Sequence, residues 1–216
     1  MGFGMSYRAL RKDLTETTRK CDFCENYLTS LKAFVLEDVN TGSIAYAGPT
    51  CAKNNLGENF TLSGIPDLTR FTLSDAVRET GSGGGKGGVK ILDPARLAVE
   101  YLILREEKLK DEMNTSYSVL RGYYDSLKYR SLSESDVRHI NNIEARSPEN
   151  LKLVSLQRCY NYLFWIDVGI NKLPGDRADF LKSVRKALIN DGRISEAQKE
   201  GVNKWLSNID GVPQLK

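Results

Sequence analysis

The sequence predicts an α+β chain, with a small N-terminal hairpin module followed by a mainly α-helical C-terminal domain. Three observations carry that prediction. Cys21 and Cys24 stand two residues apart, and Cys51 returns after a stretch with strand and turn chemistry. From Asp93 onward, apolar residues recur at three- and four-residue spacing between helix caps. Between the two lies a glycine-rich run, 81–88, whose composition suits a flexible linker. The expected domains are 1–80, a linker over 81–92, and 93–216.

The elements of the first part follow from local chemistry. Ser6 is placed to cap a helix with Tyr7, Leu10 and Leu14 on one face. Lys32 to Glu37 is β-rich, Asn40-Thr41-Gly42 is turn chemistry, and Ser43 to Ala47 leads back, so a hairpin is expected. A short helix is expected from Cys51 to Leu56-Gly57. Phe60 to Pro66 reads as a loop, and Leu68 to Val77 as a short strand and helix. Thiolates at the Cys21-x-x-Cys24 and Cys51 spacing suit one zinc ion, with bonds of about 2.3 Å.

Knuckle, apolar strand, Thr-Gly turn, small-residue strand and Gly48-x-x-Cys51 together resemble a treble-clef-like zinc module of a kind common in bacteriophage and bacterial proteins. The resemblance covers about residues 19–56. It implies Zn²⁺ held by Cys21, Cys24 and Cys51, and a phage-encoded chain. The sequence departs from the pattern at the fourth ligand. A treble clef usually takes its last two ligands from the first turn of the helix, and the residue three after Cys51 is Asn54. The candidates for the fourth position are Asp38, Asn54, His139 and Cys159. Each also has a plain structural reading: Asp38 as a hairpin-end carboxylate, His139 as a helix side chain, Cys159 as a core thiol.

Composition sets the bounds. The chain has 216 residues, 31 Lys and Arg against 28 Asp and Glu, one histidine and four cysteines. Three clustered cysteines read as reduced thiols or a metal site in a cytosolic protein, not as a secreted disulfide framework. No apolar run is long enough for a membrane span, and no secretory h-region is present. A net charge of +3 permits a polyanionic partner without requiring one, so any basic footprint has to be assembled by folding.

The helical part is punctuated clearly. Asp93-Pro94 is a cap with proline in the first turn, with Leu97, Tyr101, Leu104 and Leu109 following. Leu120, Tyr124 and Leu127 mark a second helix, and Ser133-Glu134-Ser135-Asp136 is a capping box that starts a third. Ser147-Pro148-Glu149 starts a fourth, with Val154, Cys159, Leu163, Phe164 and Ile166 as its apolar residues. Pro174-Gly175-Asp176 breaks the chain before a fifth. Ser195-Glu196-Ala197-Gln198 caps a sixth.

The catalytic inventory is thin. One histidine rules out a multi-histidine metal centre, and no G-x-S-x-G or H-E-x-x-H is present. Glu106-Glu107, Asp111-Glu112 and Glu134/Asp136 read as solvated helix faces. Lys86-Gly87-Gly88 lacks the Gly-Lys-Ser/Thr that a phosphate loop needs. The expectation is therefore a non-enzymatic, zinc-containing, nucleic-acid-binding accessory protein of the cytoplasm, the host-cell cytoplasm for a phage chain. DNA stands ahead of RNA as partner, and no membrane is involved. The expected contact residues are Arg19, Lys20, Lys32, Lys53, Arg121, Lys128, Tyr129, Arg130 and Arg138, with Tyr27, Phe34 and Tyr46 as further stacking faces. The alternatives are a protein–protein adaptor or inhibitor of host machinery, and third a zinc-dependent enzyme acting on nucleic acid.

Overall fold

The structure, a computed structural model, describes residues 6–15, 18–72 and 93–216. The expected linker 81–92, its phosphate-loop comparison and residues 73–77 of the expected strand and helix lie outside the described residues. The chain divides into two compact units, Met1–Thr69 and Arg70–Lys216.

The first unit is a three-stranded antiparallel sheet in the order β1-β2-β3 with one short helix. Its elements are β1 (Tyr7–Leu14), β2 (Lys32–Asp38), β3 (Ile44–Ala47) and α1 (Pro49–Asn55). β2 is the central strand: Val35 pairs with Arg11 on one side and Tyr46 on the other. The β2–β3 turn closes on Asp38, whose Oδ1 accepts from the amides of Asn40 (2.8 Å) and Thr41 (3.3 Å). Gly42 then adopts φ +73°, a left-handed conformation that glycine takes without steric cost. Tyr7, Cys21, Leu28, Ala33, Leu36, Ala45, Ala47 and Ala52 form the core, with Phe23, Phe34 and Tyr46 packed at its margin.

The first expected helix is a strand. Tyr7, Leu10 and Leu14 have helical spacing, yet residues 7–14 pair along β2. The reason is a bulge. The register shifts between Ala9 and Arg11, and one extra residue breaks the two-residue period of a strand. Tyr7 and Leu14, an odd number of residues apart, are both buried as a result. Leu68 to Thr72 turns and bends and forms no strand; Asp67 instead makes an isolated bridge to Lys12.

The second unit is helical. It runs through α2 (Pro94–Ile103), a π-turn (Leu104–Lys108), α3 (Lys110–Met113), α4 (Ser118–Ser126), α5 (Glu134–Arg146), a 3₁₀ turn (Glu149–Leu151), α6 (Leu153–Lys172), α7 (Asp176–Asp191) and α8 (Glu196–Leu206). The caps act as their residue types require. Asp93 accepts from the amide of Ala95, and Ser133 with Asp136 and Ser195 with Gln198 both form complete capping boxes. The fourth expected helix begins later than its Ser-Pro-Glu signal, because 149–151 forms the 3₁₀ turn first.

α6 is the spine of this unit. Leu156, Trp165 and Ile166 are fully buried along it, whereas Val154 remains on the surface at 39% exposure. A Cβ on Gly169 would lie 2.7 Å from side-chain carbons of both Leu181 on α7 and Leu206 on α8, so α6 meets its two neighbours where it carries no side chain. No described helix is long and apolar enough to cross a membrane.

Buried polar groups hold the start of the bundle together. Arg70 donates to the fully buried Glu100 carboxylate at 2.6 Å, and Arg96 reaches the same oxygen at 3.0 Å. Gln157 and Asn161 of α6 donate to the Arg70 carbonyl at 2.9 and 2.8 Å. The π-turn turns Arg105 and Glu106 inward. Arg105 donates to the Thr115 carbonyl at 2.7 Å, and Glu106 accepts from Ser116 Oγ (2.6 Å) and the Tyr117 amide (2.9 Å). Glu106 is therefore buried, and Glu107 is half-buried as the acceptor for Tyr124 Oη at 2.8 Å. Neither is the solvated carboxylate that the sequence suggested, because one wider turn of helix brings Glu106 to the 114–117 connection and Glu107 to Tyr124 on α4.

Candidate metal centre

Residues 19–28 form a tight knuckle that leaves the sheet and returns to it. Lys20 and Tyr27 bridge antiparallel, and the Leu28 amide donates to the Arg19 carbonyl at 2.9 Å. Inside that bridge the Cys21 amide donates to the Asn26 carbonyl at 2.8 Å, and the Glu25 amide to the Cys21 carbonyl at 3.0 Å. Closing so small a loop requires a left-handed residue, and Glu25 supplies it at φ 56°. Asp22 clamps the knuckle to β3: its amide donates to the Tyr46 carbonyl at 2.9 Å, and its Oδ2 accepts from the Tyr46 amide at 2.6 Å. Cys51 approaches from the other side on α1, which starts after Gly48 with Pro49 in its first turn.

The consequence is a three-thiol cluster. The Sγ atoms of Cys21, Cys24 and Cys51 all lie within 4.8 Å of one another. Tetrahedral zinc–sulfur bonds of about 2.3 Å place sulfurs about 3.8 Å apart, so the cluster fits a metal ion with small adjustment. Cys21 is buried, Cys24 exposed and Cys51 between the two. Burial pushes the Cys21 thiol up, but hydrogen bonds from the backbone of Phe23, Gly48 and Cys24 outweigh it, and the net shift is downward. Cys51 is pushed up to about 11 by its hydrogen bonds and charge repulsion with Cys24 and Cys21. Sulfur atoms packed this closely cannot all ionise without a cation among them. Asn26 adds a donor to Cys24 Sγ at 3.5 Å. No signal in the sequence marks that contact, or the two hydrogen bonds between Asp22 and Tyr46.

The fourth-ligand candidates are engaged elsewhere or turned outward. Asp38 holds the hairpin turn. His139, in the helical unit, pairs its Nδ1 with Tyr123 Oη at 2.8 Å. Cys159 is buried in α6, donates to the Gly192 carbonyl at 2.9 Å, and is pushed up to about 12 by burial. Asn54 is an exposed residue of α1. Among the described residues, the group of His, Cys, Asp and Glu side chains placed to hold a metal consists of the three cysteines alone. They form one wall of a surface hollow of about 470 Å³, whose other walls include Tyr27, Thr29, Ser30, Lys32 and Thr50.

The expected contact residues fall into two sets. On the first unit, the Arg19 guanidinium lies 3.9 Å over the Tyr46 ring and the Lys20 ammonium 5.2 Å from the Tyr27 ring centre. Lys32 lines the hollow, and Lys53 is exposed in the last turn of α1. Tyr27 is 61% exposed, whereas Phe34 and Tyr46 pack against the core. On the second unit, Arg121 and Lys128 both pair with Asp125, at 3.1 and 3.7 Å, and Arg130 pairs with Asp136 at 2.6 Å. Arg138 is exposed, and Tyr129 is the most exposed large apolar side chain among the described residues, at 87%.

No protein-family model, curated protein or solved structure matches this chain. What the site offers chemically therefore rests on its own geometry: three soft sulfur donors, two on the knuckle and one on α1, placed so that they could hold one metal ion.

Proposed function

We propose that this chain is a zinc-containing, nucleic-acid-binding accessory protein without catalytic activity, and that its N-terminal unit is a treble-clef-like zinc module working in a reducing cytoplasm. Zinc is the metal of choice for a thiolate set without redox chemistry. Held by Cys21, Cys24 and Cys51, it would fix the knuckle and tie it to α1. The observation that carries the functional reading is the cation–aromatic contact on that knuckle between Lys20 and the exposed Tyr27 ring. A cation beside an aromatic face gives a phosphate contact and a base-stacking surface in one place, as single-strand binding needs. DNA remains the preferred partner over RNA.

The test is anisotropy of labelled single- and double-stranded DNA and of RNA at two salt concentrations. Affinity should fall with salt, with a log–log slope of about −0.7 per phosphate contact on single strands and about −0.9 on duplex. Tyr27→Ala should cost about 1–3 kcal/mol of single-strand binding, and Arg19→Ala with Lys20→Ala should flatten the slope. Absence of binding to any of these at low salt would overturn the proposal. The adaptor reading has one observation in its favour: Arg121, Lys128 and Arg130 are already paired with carboxylates, as Arg19 is with Asp22, which weakens both units as phosphate surfaces. Capture of a single protein partner that Tyr129→Ala abolishes, without nucleic-acid binding, would favour it.

A further inference from the structure

Residues 212–216 follow the turn after α8 and form neither helix nor strand. Two side chains of the helical unit hold them. The Asn203 carboxamide on α8 takes both main-chain groups of Leu215: its Oδ1 accepts from the Leu215 amide at 2.7 Å, and its Nδ2 donates to the Leu215 carbonyl at 3.0 Å. A facing residue of an antiparallel strand would make the same pair of bonds. One residue on, the Tyr162 hydroxyl on α6 donates to the Lys216 carbonyl. The Leu215 side chain is 3% exposed, whereas Gln214 and Lys216 on either side of it are exposed. The segment is thus seated by one apolar anchor and by main-chain groups that every peptide carries.

Folded domains take extended peptides in this way: main-chain bonds supply attachment, and a site for one side chain supplies choice. A hollow of about 880 Å³ opens beside Tyr162 and Lys216, so a longer peptide has room to continue. The turn that delivers the segment rests on Gly211, which is exposed and holds φ +77°, a left-handed conformation that glycine takes without steric cost. We propose that Asn203, Tyr162 and the site that buries Leu215 form a docking seat for an extended peptide of a partner protein with leucine at the anchored position, and that residues 212–216 fill this seat in cis. A short tether holds the cis segment at an effective concentration on the order of 1 mM. The partner peptide therefore meets a seat that is open for a fraction of the time, and its affinity rises when the segment is released. The proposal depends on neither the metal nor nucleic-acid binding.

The test is anisotropy of a labelled peptide with the sequence of residues 210–216, blocked at both ends and titrated with the full chain. The expected result is weak binding to wild type and binding at least about tenfold tighter to Gly211→Val, where a branched side chain strains the left-handed turn outside the seat. Leu215→Ala, which empties the anchor site, should show the same gain. Adding Asn203→Ala to either variant should remove it, and a peptide with aspartate in place of leucine should bind at least about tenfold more weakly. Either variant that keeps its helical circular dichroism decides the outcome. Loss of that signal in both shows that the segment is part of the fold, and overturns the proposal. So do equal affinity in wild type and the variants, absence of binding to any of them, a gain that survives without Asn203, or equal binding of the aspartate peptide. Gly211→Val chains that gain no peptide affinity but dimerise by light scattering show that a second copy fills the seat, which overturns the partner assignment.

Discussion

Glu25 holds the cysteine knuckle closed at φ 56°, a conformation in which an L side chain costs about 1 kcal/mol or more. It is exposed and follows Cys24 directly. Glu25→Gly should therefore stabilise the metal-loaded N-terminal unit by about 0.5–1 kcal/mol, read as a shift in its thermal midpoint. A lower midpoint would show that the side chain does more than occupy the turn. The four cysteines also separate by environment. Cys159 is buried, hydrogen-bonded and pushed up to about 12, so its thiolate is scarce at neutral pH. In protein treated with a chelator, iodoacetamide should modify Cys21, Cys24 and Cys51 and leave Cys159, in the helical unit, unmodified, as mapped by peptide mass. Labelling of Cys159 at the rate of Cys24 would contradict the burial argument. The Cys21-x-x-Cys24 spacing made two of the three clustered cysteines legible in sequence, because it is local, and the hairpin chemistry leading into Gly48-x-x-Cys51 pointed to the third. The donors to their sulfurs were not legible, since Gly48 and Asn26 reach them only once the hairpin and knuckle have formed.

At the scale of elements, the two capping boxes are parallel experiments. Ser133→Ala and Ser195→Ala should each cost about 1 kcal/mol, measured by denaturant unfolding. The first box also carries a pH signature. Asp136 is lowered to about 2, chiefly by Arg130 and then by Ser133. Its folded value lies below the unfolded value of about 3.9. Its contribution is thus complete above about pH 4 and is lost as pH falls through about 2. Arg130→Ala should move the Asp136 titration, followed by carboxyl NMR, back toward the unfolded value. Packing makes a sharper demand at Gly169, where Leu181 and Leu206 leave no room for a Cβ. Gly169→Ala should cost about 1–3 kcal/mol, and an unchanged midpoint would mean that α7 and α8 are less closely seated. Caps were legible because Ser-x-x-Asp and Ser-x-x-Gln act within one turn. β1 was not, because its bulge gave a strand the spacing of a helix. The burial of Glu106 was not, because a π-turn and its partners on 115–117 leave no periodic trace.

At the scale of the whole molecule, the three-cysteine cluster lies in one of the two units, so only that unit should depend on a bound metal. Metal binding is folding energy for a module this small. Both tryptophans, Trp165 and Trp205, lie in the helical unit, so their fluorescence reports on that unit and not on the knuckle. The most direct test is zinc content and tryptophan-detected melting on one sample of the purified full chain, beside Cys51→Ser. The account predicts one zinc per wild-type chain and much less in the variant. It also predicts a destabilised N-terminal unit by amide exchange in Cys51→Ser, with the tryptophan-detected midpoint essentially unchanged. Wild-type protein with well under one equivalent of zinc and a protected, fully folded N-terminal unit would contradict it.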